Sequence, residues 1–307
     1  MKRARRAPAM IALACALSVA HLSSGEPSGR QEPRVLRFAW RPSGADEAPY
    51  AMADVADQHR IVLSPGVVSG GEYPVLIALH GQPKRGQSPS SYAFPDTVAD
   101  LAVDHVRRGE VAPLVIALPV FRFYGTNWPA FDLVAFRRAL EERLAAEKIK
   151  VSAYYVVGHS GAAGCGGDGM NRAHRIHPRA VGFFDTCLGA GWRDEMSALR
   201  KERIATLVVH SVETAGIVPR QPREYEADFD FGQPYAAVGL LPIPCGARLP
   251  DVPLRERPFR CTGDGAFGRG FIVDTGDGEA AHNAVVPVAL TYFLREYLGR
   301  GLASEMR

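Results

Sequence analysis

Two stretches constrain the fold of this chain more than any others. Residues 73–79 (YPVLIAL) and 113–120 (PLVIALPV) are continuous apolar runs of strand length. A strand wet on one face alternates apolar and polar residues, so an unbroken run predicts a strand covered on both faces. Between them, residues 94–108 have helical spacing. After them, residues 132–148 place Leu133, Phe136, Leu140 and Leu144 three or four apart, with Arg and Glu between. Short apolar runs follow at 154–157, 180–184, 206–209 and 271–273, and a closing helix is predicted over 285–298. Residues 35–40 and 60–63 read as two opening strands. Strand alternating with helix implies an α/β protein: a mostly parallel sheet with helices on both faces.

One stretch breaks the rhythm. Residues 214–270 hold eight prolines and many glycines and show no clean period. They read as a long insertion, lying over a pocket or simply solvated. The remainder reads as one domain over 35–307, after a flexible Ser/Gly/Glu/Pro-rich lead-in at 21–34. The composition is 47% hydrophobic and 22% charged, as in soluble globular proteins, and excludes disorder, collagen and coiled coil.

Residues 1–20 differ in kind. A basic start (KRARR at 2–6), an uncharged and mostly apolar run and a small-x-small end at Ser18-Val19-Ala20 describe a signal peptide. The run is shorter than the ~20 apolar residues a membrane span needs, and nothing later reaches that length. A buried N-terminal helix or a lipid anchor at Cys15 are the alternatives. Export to the periplasm or outside the cell is the expectation. Removal of Lys2, Arg3, Arg5 and Arg6 leaves 32 basic against 33 acidic side chains, so the formal +3 becomes −1. That removes any basic footprint for nucleic acid. It also removes Cys15 and leaves four cysteines, with Cys165–Cys187 and Cys245–Cys261 favoured as disulfides over other pairings or free thiols.

The chemistry concentrates where the run YYVV enters Gly158-His159-Ser160-Gly161-Ala162. Small residues two before and two after a serine suit a sharp strand–turn–helix, which projects the hydroxyl from the carboxyl edge of a sheet. Ser160 is therefore the candidate nucleophile. A serine needs a base, and His282 is the candidate, in a turn-rich loop at 274–282 between the last strand and the last helix. DTGDG within it lacks calcium-loop spacing and reads as a turn. His80, His159 and His210 are weaker candidates, and the H-x-x-H pair His174/His177 has no accompanying ligand set, so no metal is expected. The imidazole needs an acid. Asp185 and Glu213 each follow a strand, with Asp185 favoured and Glu213 kept open. Oxyanion donors are expected from Gly161 N–H and, because Pro83 has none, from Gln82. Arg122, Asn127 and Trp128 are read as a substrate wall, with Arg122 able to hold a carboxylate, or as residues packing the next helix.

With HG at 80–81, GHSGA at 158–162, an acid at 185 or 213 and His282, in that order, the chain resembles the α/β-hydrolase family of serine hydrolases over residues 35–298. Ala162 departs from the usual last glycine. The resemblance implies an eight-stranded, mostly parallel sheet, and short linkers around Asp185 argue against a large cap. It implies an enzyme cleaving a small-molecule or polymer carboxylic ester through an acyl-enzyme, without a cofactor, and the leader adds the expectation of export. A peptidase or amidase acting on cell-envelope material with the same triad, and a non-catalytic binding protein on the same fold, are the alternatives.

Overall fold

The computed structural model describes residues 31–40, 59–82, 93–120, 128, 131–163, 169–186, 190–211, 240–242, 268–273 and 278–299. Contacts divide the chain into Met1–Gln31, of which only Gln31 is described, and Glu32–Arg307. The leader at 1–20 thus lies outside the described residues, as do all five cysteines.

The strands are β1 (Arg34–Phe38), β2 (His59–Leu63), β3 (Glu72–Leu79), β4 (Val115–Leu118), β5 (Lys150–His159), β6 (Ala180–Phe184), β7 (Ala205–Ser211), β8 (Leu240–Pro242) and β9 (Gly268–Val273). They form one sheet in the order β1-β2-β4-β3-β5-β6-β7-β9-β8. Only β2 runs against its neighbours, and every other pairing is parallel. The expected eight strands become nine among the described residues. The extra one, β8, comes from the segment read as an insertion without strands, because a three-residue Leu-Leu-Pro run carries no period to read.

The two faces of the sheet separate residue by residue. Val75, Ile77 and Leu79 of β3, Ala117 of β4 and Val181 and Phe183 of β6 enter one buried cluster. Leu76 and Ala78, Ile116 and Leu118, and Ala180 and Phe184 enter the other. This is the two-residue alternation of a strand with both faces apolar, and it explains the unbroken runs in the sequence. Each fully buried Ile or Phe contributes roughly 1.5–3 kcal/mol.

Helix α1 (Ala93–Arg107) and the last helix cover one face. Phe94, Val98 and Val103 pack there with Val285, Leu290 and Phe293. Helix α2 (Leu133–Ala146) covers the other face with Phe136, Leu140 and Leu144. It starts at Asp132, whose carboxylate accepts from the N–H groups of Val134 and Ala135. Beside it lie a 3-10 segment, Gly169–Ile176, and α3 (Ala190–Lys201), which contributes Met196 and Leu199. The sequence analysis places no helix at α3.

The last helix, α4 (Gly278–Leu298), starts earlier than expected. His282 therefore sits on a helix and not in a loop, a correction with a local cause. Glu279-Ala280-Ala281 are good helix formers. Pro287 disguises the continuation, yet it lies on the exposed side next to exposed Asn283, so the bond its missing N–H removes is lost where solvent can replace it.

Candidate active site

The order of strands reverses at β3, which has β4 on one side and β5 on the other. In open α/β sheets a crevice forms at the carboxyl ends of the strands at such a point. Both candidate strand ends lie there: β3 pairs with β5 up to Leu79 opposite Gly158, immediately before His80-Gly81 and His159-Ser160.

Ser160 has φ +55°, in the left-handed region. For a residue with a Cβ this costs about 1–2 kcal/mol and persists only where the surroundings impose it. Among the described residues six non-glycines have positive φ. Lys148, His177 and Arg203 follow helical turns, each N–H bonding the carbonyl three residues back. Ser160 and Asp185 do not; each follows a buried parallel strand, at the site.

The turn is packed to closeness. A Cβ on Gly158 would lie 2.0 Å from Met170 Sδ and 2.7 Å from the Ala162 methyl. Ala162 thus fits because Gly158 yields the space. A Cβ on Gly81 would lie 2.6 Å from Ser160 Cβ and 3.1 Å from its Oγ. The backbone at Gly81 can approach the serine only because it lacks a side chain.

Asp185 follows β6, and its N–H donates to Val209 O at 2.6 Å. Its carboxylate is fully buried and surrounded by donors. Ser211 N–H donates to Oδ1 at 2.8 Å and Ser211 Oγ to Oδ2 at 3.0 Å. His282 Nδ1 donates to Oδ2 at 2.6 Å. His210, itself fully buried, places Nδ1 3.3 Å from Oδ1. Burial opposes ionisation of Asp185, but His210 and His282 outweigh it and hold the carboxyl far below the usual carboxylate range. With Nδ1 on the carboxylate, the His282 ring directs Nε2 the opposite way, and the side chain is 28% exposed.

Two further histidines frame the site. His159 is buried, stacks on Phe94 at 5.7 Å and lies 4.3 Å from the His282 ring. Its Nε2 is 3.1 Å from His282 O. His80 is also buried and donates from Nδ1 to Gly81 O at 2.6 Å. Burial is the main cause that pushes each down to about 3, so both are neutral at neutral pH.

Trp128, expected as a candidate for a substrate wall, has no exposed surface. Its indole N–H donates to His80 O at 2.8 Å and its ring packs on Phe131 at 4.7 Å. It anchors the loop after β3 and packs beside α2, as the packing alternative for this stretch expects. Two successive carbonyls, His80 and Gly81, are thereby held by buried donors. A planar trans peptide then points the Gln82 N–H opposite to the Gly81 C=O. Gln82 itself is exposed, and Gly161 is buried directly after Ser160.

Arg122, Asn127, Glu213 and Cys165, Cys187, Cys245 and Cys261 lie outside the described residues. Ser211 had no sequence signal, since a serine ending a strand is ordinary. His210 and His159 were read as weaker histidines, with no cue that they touch the site. His174 and His177 bond Glu195 and Glu202 at 2.5 and 3.0 Å. Among the described residues no group of three or more His, Cys, Asp or Glu could hold a metal ion. No helix there is long and apolar enough to cross a membrane.

No protein-family model matches the chain, and no curated protein matches it in sequence. Solved structures are similar at low identity. An uncharacterised protein from Capnocytophaga ochracea is 11% identical with TM-score 0.49, over 86% of this chain and 65% of its own length. A feruloyl esterase module from Clostridium thermocellum is 11% identical with TM-score 0.46, over 88% and 90%. MPT51 of Mycobacterium tuberculosis is 14% identical with TM-score 0.45, over 80% and 96%. The strand order, with β2 alone antiparallel and a left-handed serine closing β5, gives this chain the α/β-hydrolase fold.

Proposed function

We propose that this chain is an exported serine hydrolase that cleaves a carboxylic ester. The observations that carry the reading are the His282–Asp185 hydrogen bond of 2.6 Å and a left-handed Ser160 that directly follows His159, whose ring lies 4.3 Å from that of His282. Ser160 Oγ attacks the ester carbonyl carbon while its proton passes to His282 Nε2. The new oxyanion is held by the N–H groups of Gly161 and Gln82. Collapse breaks the carbon–oxygen bond, and His282 Nε2–H gives its proton to the departing alkoxide, leaving an acyl-enzyme and an alcohol. Water then attacks the acyl group, its proton again going to His282, and releases the acid with Ser160 regenerated. Asp185, held ionised, fixes the His282 tautomer and stabilises the transient imidazolium. The substrate is a small-molecule or polymer ester, and the leader at 1–20 directs the chain out of the cytoplasm.

A fluorophosphonate probe tests the reading. It should label Ser160 in folded protein, and Ser160→Ala should abolish labelling and esterase turnover together. Full turnover by Ser160→Ala, or no labelling of the folded wild type, overturns it. A matched ester and amide pair reports which bond is preferred, and mass spectrometry of the exported chain reports whether its N-terminus follows Ala20.

A further inference from the structure

Resting on the triad reading above, we propose that His159 is a positioning residue that ties the general base to the nucleophile's own strand, by donating its Nε2–H to the main-chain oxygen of His282. The two atoms are 3.1 Å apart and the rings 4.3 Å apart.

The placement follows from strand geometry. Successive residues of a strand point to opposite faces. At the end of β5, His159 turns toward the face covered by α1 and α4, where it stacks on Phe94 with the planes 15° apart. The next residue, Ser160, leaves the strand in the left-handed conformation. One chain segment thus carries the nucleophile and, one residue earlier, a side chain that holds the base.

His282 needs such a hold. It begins the second turn of α4, one turn in from an end where helices fray. Its ring is tied to Asp185 through Nδ1. A ring held at one atom can still swing about that bond, and a swing of an ångström moves Nε2 out of reach of a hydroxyl. A second tie on the carbonyl beside its Cα restrains the base of the side chain. The distance between nucleophile and base is then set by a few covalent bonds and one hydrogen bond, and not only through sheet and helix packing.

The chemistry of His159 suits this. A carbonyl only accepts, so His159 must carry its proton on Nε2. Burial keeps it neutral, so it adds no positive charge beside an imidazole that must itself become charged during turnover.

The substitutions His159→Phe and His159→Gln separate bond from bulk. Phe keeps the stacking on Phe94 and loses the donor. Gln carries an amide N–H at about the same reach. The expected result is a loss of roughly tenfold or more in kcat and in the rate of fluorophosphonate labelling for His159→Phe, with KM within about twofold. His159→Gln should recover most of both. The downfield Nδ1 proton of His282 in NMR should broaden in His159→Phe and persist in His159→Gln. A merely structural role would lower Tm while leaving kcat per folded molecule unchanged. That outcome, or a His159→Gln as impaired as His159→Phe, overturns the assignment. Nitrogen-15 shifts of the wild type need no variant. A neutral Nε2–H tautomer of His159 supports the tie, and an Nδ1–H tautomer overturns it. These shifts are read whether or not the protein turns over an ester, so failure of the triad reading and failure of the tie are distinguishable.

Discussion

The described part of the molecule holds two histidine–carboxylate pairs of nearly equal length with fully buried acids: His282–Asp185 at 2.6 Å and His174–Glu195 at 2.5 Å. Their acids titrate in opposite directions. Asp185 is pushed down, because His210 and His282 outweigh its burial. Glu195 is pushed up, because burial dominates over what His174 gives back. The difference lies in the partners. Asp185 has a second imidazole, His210, 3.3 Å away, whereas among the described residues Glu195 has His174 alone and the like charge of Glu202 nearby. A short distance between imidazole and carboxylate therefore does not by itself keep an acid ionised; the other groups that face it decide.

Exchanging each acid for its amide breaks the comparison most sharply. Asp185→Asn should lower kcat about 10³- to 10⁴-fold, because the amide favours the wrong tautomer of His282. Steady-state esterase kinetics on folded protein would check this, and a loss under tenfold would make Asp185 merely structural.

Acid sharpens it next. His80 and His159 have folded values near 3, below the ordinary 6.5. A depressed value means stability present above the unfolded pKa and lost as pH falls from about 6.5 toward 3, because unfolding lets the ring take up a proton. At pH 5 each should cost about 2 kcal/mol relative to pH 7. Asp185 adds to the same trend below about pH 4, its unfolded range. Glu195 has the opposite sign: with its value raised, its contribution is present below the unfolded pKa and lost as pH rises through the folded one. Urea unfolding of wild type, Asp185→Asn and Glu195→Gln across pH 3–7 should therefore show a shallower acid loss for the first variant. For the second, stability should rise relative to wild type as pH increases.

Ser211→Ala removes one donor to Asp185 and leaves the backbone donor in place. It should cost about 1 kcal/mol in ΔG‡, several-fold in kcat. Smallest of all, Glu195→Gln keeps the side chain's size and changes no group bonded to Asp185 or His282 among the described residues, so kcat at pH 7 should stay within about twofold. A larger fall would place the 3-10 segment and α3 in control of the elbow.

Much of the fold was legible because both faces of the sheet are apolar. Residues 73–79 and 180–184 mark β3 and β6 to within a residue, and Leu133, Phe136, Leu140 and Leu144 mark α2. α3 escaped, and so did two stretches of weak local signal: β8, which is three residues long, and the start of α4, whose first turns follow Asp and Gly and precede Pro287. Of the site, the G-x-S-x-A turn was legible because a sharp reversal demands small residues, as the crowding of Gly158 against Met170 and Ala162 explains. Trp128 stayed open because a local sequence cannot tell a ligand wall from a core anchor; here it is buried.

By itself the sequence determined the alternation of strand and helix, the serine on its turn and the short set of histidines and acids that could serve it. These depend on neighbours along the chain, where φ/ψ preference and side-chain period act. Only the tertiary structure decided that Asp185 meets His282 across 97 residues, that Ser211 and His210 gather on the same carboxylate, and that His159 reaches the backbone of the base. Such meetings come from strand order and packing, where residues far apart in sequence share one low-dielectric space and each buried polar group must find its partner.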